Sequence, residues 1–242
     1  MPALIRNGIV LRYANYKESD RMLTLFTREQ GLLSAAARGC RRPKSPLLCA
    51  SEPFVYGEFA LFERNGGKYS VDACDVRERF YPIREDVSRF AGGISMLTLT
   101  EKSGVTENAE GLFSLLYYAL SFLSYGKAEP ADITICFFVR ALSLLGLRPA
   151  LTECACCGRD LRAQKQLRFA PQLGGAVCGE CGLAGTPIQP VSLEAMRRML
   201  LLVDEGMDKV RLPMAVRAEL KDAVRAYASY TLEYDFKSFD QI

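Results

Sequence analysis

Residues 4–37, LIRNGIVLRYANYKESDRMLTLFTREQGLLSAAA, hold three β-rich segments joined by short polar turns, and this stretch decides the fold. Two more β-rich segments flank Arg64-Asn65-Gly66-Gly67, a sequence typical of a hairpin turn. The strands we predict are residues 4–13, 21–27, 32–37, 53–63 and 68–73. Five short strands so close together predict a small closed barrel, and the OB-fold is the common five-stranded choice. An SH3-like barrel would give a similar pattern and remains the alternative.

The chain changes from a strand pattern to a helix pattern after Tyr81-Pro82. Asp86 and Ser192 are suitable N-caps, and Gly146 is a suitable helix end. The helices we predict are residues 86–103, 109–125, 130–145, 192–203 and 213–234, with a loop-like stretch at 151–190. The sequence therefore predicts an α+β protein, with an OB-fold domain at residues 1–80 and a helical domain at residues 81–242.

Composition and charge are those of an ordinary globular protein. Apolar residues make up 49% of the 242 residues and charged residues 24%. The net charge is only +3, but residues 1–80 carry 13 Lys and Arg against 9 Asp and Glu. The longest uncharged apolar stretch, residues 111–126, is shorter than the roughly 20 residues that cross a membrane. Because the N-terminus also lacks a secretory pattern, we expect a soluble cytoplasmic protein without membrane contact.

The chain contains no histidine. This excludes His-based nucleophile triads, the commonest general base and the HExxH class of zinc hydrolases. The sequence also lacks a Walker-type phosphate loop. We therefore expect a binding protein and not an enzyme.

The strongest chemical signal is a pair of C-x2-C motifs in the loop-like stretch. Cys154 and Cys157 form the first motif, Cys178 and Cys181 form the second, and a glycine follows each. Zinc prefers four tetrahedral ligands, and each motif supplies two thiolates from one tight turn. We predict one structural zinc ion at these four cysteines, in a module inserted at about residues 152–184. Four thiolates fill the coordination shell, so no position is open for a substrate.

Other interpretations of the cysteines remain. Nine cysteines are an odd count, and their clustering favours metal in a reducing compartment over a disulfide framework. A C-x-x-C redox pair is one alternative, and two pairs that bind nothing are another. Cys156 adds a further possibility, because it could replace Cys154 or Cys157 as a ligand or be a free thiol.

A second signal is the basic loop, residues 38–45, RGCRRPKS, which follows a predicted strand. Between Glu29 and Glu52 it has no acidic neighbour. An exposed loop of this kind can contact phosphates without demanding a base sequence, although a merely solvated loop is the plainer reading. Tyr13 and Tyr16 flank a polar turn and could stack on bases, although most barrel aromatics belong to the core. The candidate DNA-binding residues are Arg38, Arg41, Arg42, Lys44, Arg12 and Tyr16.

At this point the chain resembles the RecO family, over nearly its whole length. The matching motifs, in order, are residues 8–12 (GIVLR), 18–20 (ESD), 25–31 (LFTREQG), 37–45 (ARGCRRPKS), 146–149 (GLRP), the two cysteine pairs and 237–239 (KSF). Cys156 and the low net charge depart from the family pattern. The resemblance implies an OB-fold head, a helical body interrupted by a zinc module, and a role in loading recombinase.

The resemblance also implies partners. RecO-type DNA repair and recombination mediators bind single- and double-stranded DNA, anneal complementary strands and act with RecR. They also bind the acidic, hydrophobic C-terminal tail of single-stranded-DNA-binding protein (SSB). We accordingly expect a bacterial, nucleoid-associated protein. A rival from another class is an OB-fold and zinc-knuckle protein associated with RNA or translation, and DNA strand annealing would separate the two.

An acidic tail that ends in an apolar residue needs an apolar pocket rimmed by cations. Phe137, Phe138 and Arg140 lie on the helix predicted after Pro130, and Arg148 follows its end. We name these four as candidate partner-binding residues. The alternative, which we favour, is that Arg140 extends to solvent from a core helix.

Overall fold

The computed structural model describes residues 4–64, 68–107, 109–181 and 185–242. Its N-terminal part is a closed barrel, and the strand predictions are confirmed apart from their ends. The strands are β1 (Leu4–Tyr16), β2 (Asp20–Thr27), β3 (Gly31–Ala37), β4 (Tyr56–Arg64) and β5 (Lys68–Glu78). Residues 65–67 of the predicted hairpin turn lie outside the described residues.

The strand order of the barrel is β1-β2-β3-β5-β4. Neighbouring strands are antiparallel except for β3 and β5, which pair in parallel. Because β5 lies between β3 and β4, the path is a Greek key rather than a meander, which identifies the OB-fold. A four-residue helix, α1 (Leu47–Ala50), connects β3 to β4. The helix α1 was not predictable from the sequence, because four residues are too few to show a helical period.

Alternation along the strands builds the barrel interior. In β2, Leu23 and Leu25 are buried inside, whereas Met22 lies on the outer surface, as the two-residue period of a strand requires. The outer side of β1 and β2 is not all open to solvent, because Ile9 and Phe26 pack against the helices.

Five helices follow the barrel, close to their predicted positions. They are α2 (Val87–Lys102), α3 (Glu110–Tyr125), α4 (Pro130–Leu144), α5 (Pro190–Leu200) and α6 (Met214–Thr231). The Asp86 carboxylate accepts the backbone N–H of Arg89 at 2.8 Å and caps α2 as predicted. The predicted Ser192 cap is wrong. Proline suits the first turn of a helix, so α5 begins at Pro190, and the Ser192 hydroxyl donates to Glu219 at 2.6 Å.

The stretch predicted to be loop-like contains a small antiparallel sheet. Its strands are β6 (Leu167–Ala170), β7 (Gly175–Cys178) and β8 (Thr186–Ile188), in the order β7-β6-β8. The sheet packs on the helices through Phe169, whose ring lies 5.8 Å from that of Tyr227 on α6. This sheet matters for the site because β7 ends at Cys178.

One hydrophobic cluster joins the barrel to the helices and runs from Ile9 and Phe26 into α2, α3 and α4, whereas the barrel interior around Leu23 and Leu25 forms a second cluster. The backbone N–H of Leu32 donates to the carbonyl of Val105 at 2.9 Å across this boundary. At Gly31, φ is +67°, and a Cβ atom would lie 2.3 Å from the Val105 oxygen, so glycine is required there. The division of the chain after residue 80 stays a prediction.

Candidate metal centre and nucleic-acid surface

The four predicted zinc ligands come together in the structure. The Sγ atoms of Cys154, Cys157, Cys178 and Cys181 all lie within 4.8 Å of one another. Cys178 Sγ is 3.9 Å from Cys154 Sγ and 3.9 Å from Cys157 Sγ. Tetrahedral zinc with Zn–S bonds of about 2.3 Å sets its sulfur atoms about 3.8 Å apart. The cluster therefore has the size of a four-thiolate metal site.

Local backbone geometry turns these thiols towards one point. The N–H of Gly158 donates to the carbonyl of Cys154 at 2.9 Å, and the N–H of Cys181 donates to the carbonyl of Cys178 at 3.1 Å. Gly158 has a φ of +72°, the left-handed conformation expected after the first motif. Gly182, the corresponding glycine of the second motif, lies outside the described residues.

Electrostatics favour an ionised thiol at Cys154. Burial opposes the charge, but the N–H groups of Cys157, Cys178 and Cys156 outweigh it and lower the pKa of Cys154 to about 6. Hydrogen bonds to the thiols of Cys157 and Cys178 instead raise the pKa of Cys181. A cation is needed before all four sulfur atoms can be thiolates so close together.

Cys156 does not belong to the set that the structure brings together. Cys156 and Cys157 are both exposed, but the group that could hold a metal contains Cys154 and Cys157 and not Cys156. All four cysteines of the cluster are free thiols in this structure, and Cys178 Sγ lies 3.9 Å from the sulfur atoms of Cys154 and Cys157, beyond an S–S bond of about 2.05 Å.

The basic loop is exposed and held in place by the turn before it. Arg38, Arg41, Arg42 and Lys44 are all exposed, and none forms a salt bridge within the described residues. The Asp20 carboxylate accepts the N–H of Gly39 at 2.7 Å, and the Ser19 carbonyl accepts the N–H of Arg41 at 3.0 Å. The Gly39 hydrogen bond is the main cause that lowers the pKa of Asp20. Residues 18–20 therefore act as a clamp that presents the cations.

Beside this loop, the outer face of the barrel forms a cleft of about 750 Å³, which we call the barrel cleft. Tyr16 and Tyr69 line it together with outward side chains of β2 and β3. Its cations are Lys17, Arg38, Arg64 and Lys68, and its one carboxylate, Asp20, is held by the basic loop. Tyr16 is 51% exposed, with the Lys17 ammonium 5.4 Å from its ring centre. The cleft thus combines one exposed and one half-buried tyrosine ring with an excess of positive charge.

Sequence reasoning missed four of these residues: Lys17, Arg64, Lys68 and Tyr69. They lie in the β1–β2 turn and beside the β4–β5 hairpin, the two connections that flank the binding face of an OB-fold. The positions of those turns were the available signal. Tyr13 was named together with Tyr16 as a ring that could stack on bases, and the Arg21 guanidinium covers the Tyr13 ring at 3.7 Å.

Arg12, also predicted to contact DNA, lies apart from the cleft. Its guanidinium donates to the Glu101 carboxylate at 2.6 Å, so the charge is paired across the boundary between barrel and helices. Arg28 and Glu110 form a second such pair. These arginines join the two parts of the molecule.

The candidate partner-binding residues on α4 do not form an open pocket. Phe137 and Phe138 are fully buried, and Phe138 stacks edge-on against Phe239 with ring centres 4.7 Å apart. The Arg140 side chain is only 14% exposed and pairs with Asp204 at 2.6 Å, so it does not extend freely to solvent. Arg148 is exposed and separate from them. A peptide pocket at Phe137, Phe138 and Arg140 is therefore contradicted, because core packing and an internal ion pair already occupy these side chains.

The fold and these surfaces define an OB-fold protein with a helical body and a four-cysteine centre. Sequence models of the N-terminal and C-terminal domains of recombination protein O match residues 1–80 and 84–240. The chain belongs to the recombination protein O (RecO) family of DNA repair proteins, which confirms the resemblance.

Individual relatives agree along the chain. It is 31% identical to "DNA repair protein RecO" of Moorella thermoacetica over 98% of this chain and 90% of that protein. Identity to the protein of the same name from Alkaliphilus metalliredigens is 37%, over 72% of this chain and 70% of the relative. For Acetivibrio thermocellus it is 30%, over 100% and 97%. Among the described residues, no helix is both long and apolar enough to cross a membrane.

Proposed function

We propose that this chain is a non-catalytic recombination mediator. It binds single- and double-stranded DNA, anneals complementary strands and, with RecR, helps load recombinase on SSB-coated DNA. The observation that carries the proposal is the barrel cleft with its basic loop, where the exposed ring of Tyr16, the half-buried ring of Tyr69 and cations without an ion-pair partner among the described residues meet on the binding face of an OB-fold.

The cleft suits a single strand. Bases can stack on Tyr16 and Tyr69, and nearby cations neutralise phosphates, a combination that tolerates any base sequence. The basic loop projects beside the cleft, and its cations can also contact the phosphates of a duplex. Neutralising two strands on one surface reduces their repulsion, which favours annealing.

The metal at the four cysteines is proposed to be a single zinc ion with a structural role. Cys154, Cys157, Cys178 and Cys181 would hold it, and soft thiolates in a tetrahedral set suit zinc. The ion supplies a cross-link between two turns and offers no open position for a substrate. These residues hold the end of β7 beside the loop before β6.

We further propose a cytoplasmic, nucleoid-associated protein that contacts RecR and the acidic tail of SSB. Because core packing and an ion pair already occupy Phe137, Phe138 and Arg140 on α4, the contact with the SSB tail requires another surface. Arg148 stays a candidate for a neighbouring cation, because it is exposed near the end of α4.

Annealing of SSB-coated complementary strands, followed by fluorescence, tests the proposal. We expect wild-type protein to accelerate annealing and the Tyr16→Ala/Tyr69→Ala variant to lose affinity for single strands by about 1–3 kcal/mol per lost stacked base. Arg12→Gln is the matched control, because Arg12 lies outside the cleft, and it should anneal normally. Wild-type protein that anneals RNA but not DNA would instead support the RNA-associated rival.

A further inference from the structure

Cys156 is a fifth thiol beside the metal centre, and the proposed zinc ion leaves it without a role. Its neighbours Cys154 and Cys157 belong to the set of four sulfur atoms, whereas Cys156 does not. The N–H of Cys154 donates to the carbonyl of Arg159 at 2.8 Å and closes this turn, and Cys156 lies exposed within it. Small solutes can therefore reach a thiol that adjoins the sulfur atoms of the metal centre.

The second motif brings one of its thiols next to Cys156. The thiol of Cys181 hydrogen-bonds with those of Cys157 and Cys178, and it has a third such neighbour in the thiol of Cys156. Cys181 is half-buried, whereas Cys178 is completely buried. Cys181 is therefore the cysteine of the second motif that can move towards an exposed partner.

The cysteines on either side of Cys156 are poorer partners for a disulfide. Consecutive residues have Cα atoms about 3.8 Å apart, which is shorter than the roughly 4.4–6.8 Å between disulfide-bonded residues, so Cys157 is unsuitable. Cys154 is only 3% exposed, and its sulfur accepts the N–H of Cys178 at 3.4 Å, inside the cluster. Cys181 is neither adjacent in the chain nor so deeply buried.

Exposure also distinguishes Cys156 as a target for a small oxidant. Among the nine cysteines only Cys49, Cys156 and Cys157 are exposed. A metal ion at the cluster would share the electrons of the Cys157 sulfur, whereas the Cys156 sulfur keeps its lone pairs for an incoming reagent. Cys49 lies on α1, outside the cluster, and serves below as a matched exposed thiol.

We propose that Cys156 is an oxidation site, which reacts with hydrogen peroxide and then forms a disulfide with Cys181. The Cys156 sulfur attacks one peroxide oxygen, the O–O bond breaks, and the thiol proton leaves with the second oxygen as water. The product at Cys156 is a sulfenic acid. The Cys181 sulfur then leaves the metal and attacks the Cys156 sulfur, and hydroxide departs as the S–S bond forms. The two sulfur atoms lose two electrons in total, and the peroxide gains them.

The disulfide removes one ligand from the metal centre. Three thiolates do not complete a tetrahedral set, so the metal becomes available to a chelator. Only this last step rests on the proposed function, because it needs the proposed zinc ion at the four cysteines. Reduction of the disulfide returns Cys181 to the cluster, so the modification is reversible.

The test treats reduced, zinc-loaded protein with an equimolar amount of hydrogen peroxide and follows free zinc with a colorimetric chelator. We expect wild-type protein to release zinc and to form one disulfide, which tandem mass spectrometry places between Cys156 and Cys181. Dimedone, which traps sulfenic acids, should label Cys156 and prevent the disulfide. Dithiothreitol with added zinc should restore the metal content of the oxidised protein.

Cys156→Ser should hold its zinc without peroxide and release it at least about tenfold more slowly with peroxide, because no metal-free sulfur remains beside the centre. Cys49→Ser is the matched control, since it also removes an exposed thiol but leaves all five sulfur atoms at the centre in place. It should release zinc like wild type. Circular dichroism checks the folding of both variants.

Zinc release from Cys156→Ser at the wild-type rate would overturn the proposal. So would a disulfide between another pair, a dimedone label elsewhere than Cys156, or equal slowing in Cys49→Ser. If reduced wild-type protein holds no zinc, the proposed zinc site fails, and the mapped disulfide and the dimedone label alone decide whether Cys156 is the oxidation site. Annealing of DNA by the reduced protein is measured separately, so failure of the mediator function is distinguished from failure at Cys156.

Discussion

Replacing Cys178 by serine tests the metal centre most directly. Cys178 Sγ lies 3.9 Å from two other sulfur atoms, and the residue is completely buried. A hydroxyl is a poor zinc ligand and cannot complete the tetrahedral set. We expect the purified variant to hold no stoichiometric zinc, against one ion per chain in wild type.

The size of the effect follows from what else holds the module. Structural zinc contributes about 10–16 kcal/mol in isolated zinc-finger peptides. The sheet has its own attachment, because Leu167, Phe169, Val177 and Ile188 are buried in the shared core. Four such side chains contribute on the order of 6–12 kcal/mol, at roughly 1.5–3 kcal/mol each. We therefore expect the two cysteine turns to open while β6 and β7 stay docked and the barrel stays folded.

Native mass spectrometry measures the zinc, and hydrogen exchange measures the opening. Protection of the Gly158 and Cys181 amides should fall steeply in Cys178→Ser, and the melting temperature should drop. Cys156→Ser is the control, and it should keep zinc and wild-type protection because Cys156 lies outside the cluster. Full zinc occupancy with unchanged melting in Cys178→Ser would refute the reasoning, and loss of zinc in Cys156→Ser would show that the ligand set is wrong.

Three further predictions concern the barrel and α4. Neutralising the four cations of the basic loop should weaken DNA binding about equally for all sequences and flatten its salt dependence by up to about 0.7 log units per lost contact on single strands. An unchanged slope would mean that the loop is only solvated. Because the pKa of Asp20 is lowered from its usual 3.8, its clamp on Gly39 should persist above that pH and be lost as the pH falls through the lowered value. Exchange of the Gly39 amide, compared with the intrinsic rate at the same pH, measures this, and Asp20→Ala should show no protection of that amide at any pH. Arg140→Ala should lower the free energy of unfolding by about 1–3 kcal/mol, since Asp204 is left half-buried and unpaired; denaturant melts check it, and an unchanged midpoint with weaker peptide binding would return Arg140 to a partner role.

Patterns that repeat over many residues were predictable from the sequence. The barrel strands and the long helices show clear periods, and the cysteine pairs fix their own geometry through spacing. The sheet formed by β6, β7 and β8 was not predicted, because its strands have only three or four residues and lie among glycines and prolines. The start of α5 was misplaced because Ser192 resembles a cap, whereas Pro190 two residues earlier already opens the helix.

Contacts between distant residues were not predictable. No feature of the sequence around Arg140 predicts its ion pair with Asp204, and none around Arg12 predicts its ion pair with Glu101. In the sequence alone each arginine had no visible ion-pair partner and was a candidate to bind an anion, whereas in the fold each pairs with a carboxylate. The basic loop kept its cations unpaired for a visible reason, because the sequence around it has no acidic residue. A cation that has no acidic neighbour in the sequence indicates a binding surface only if the folded chain brings no distant carboxylate to pair with it.

The hydrophobic cluster that joins the barrel to the helices bears on the rate at which the protein could exchange DNA. The backbone contact between Gly31 and Val105, with the buried residues that pack around the boundary, fastens the barrel to the helices. We therefore expect that a DNA strand bound in the barrel cleft does not rotate the barrel against the helices. For the proposed transfer of DNA to a partner, we therefore expect the moving parts to be the DNA strand and the partner. The rate of exchange would then depend on how far the DNA strand and the partner can reach, while the barrel and the helices keep their relative positions.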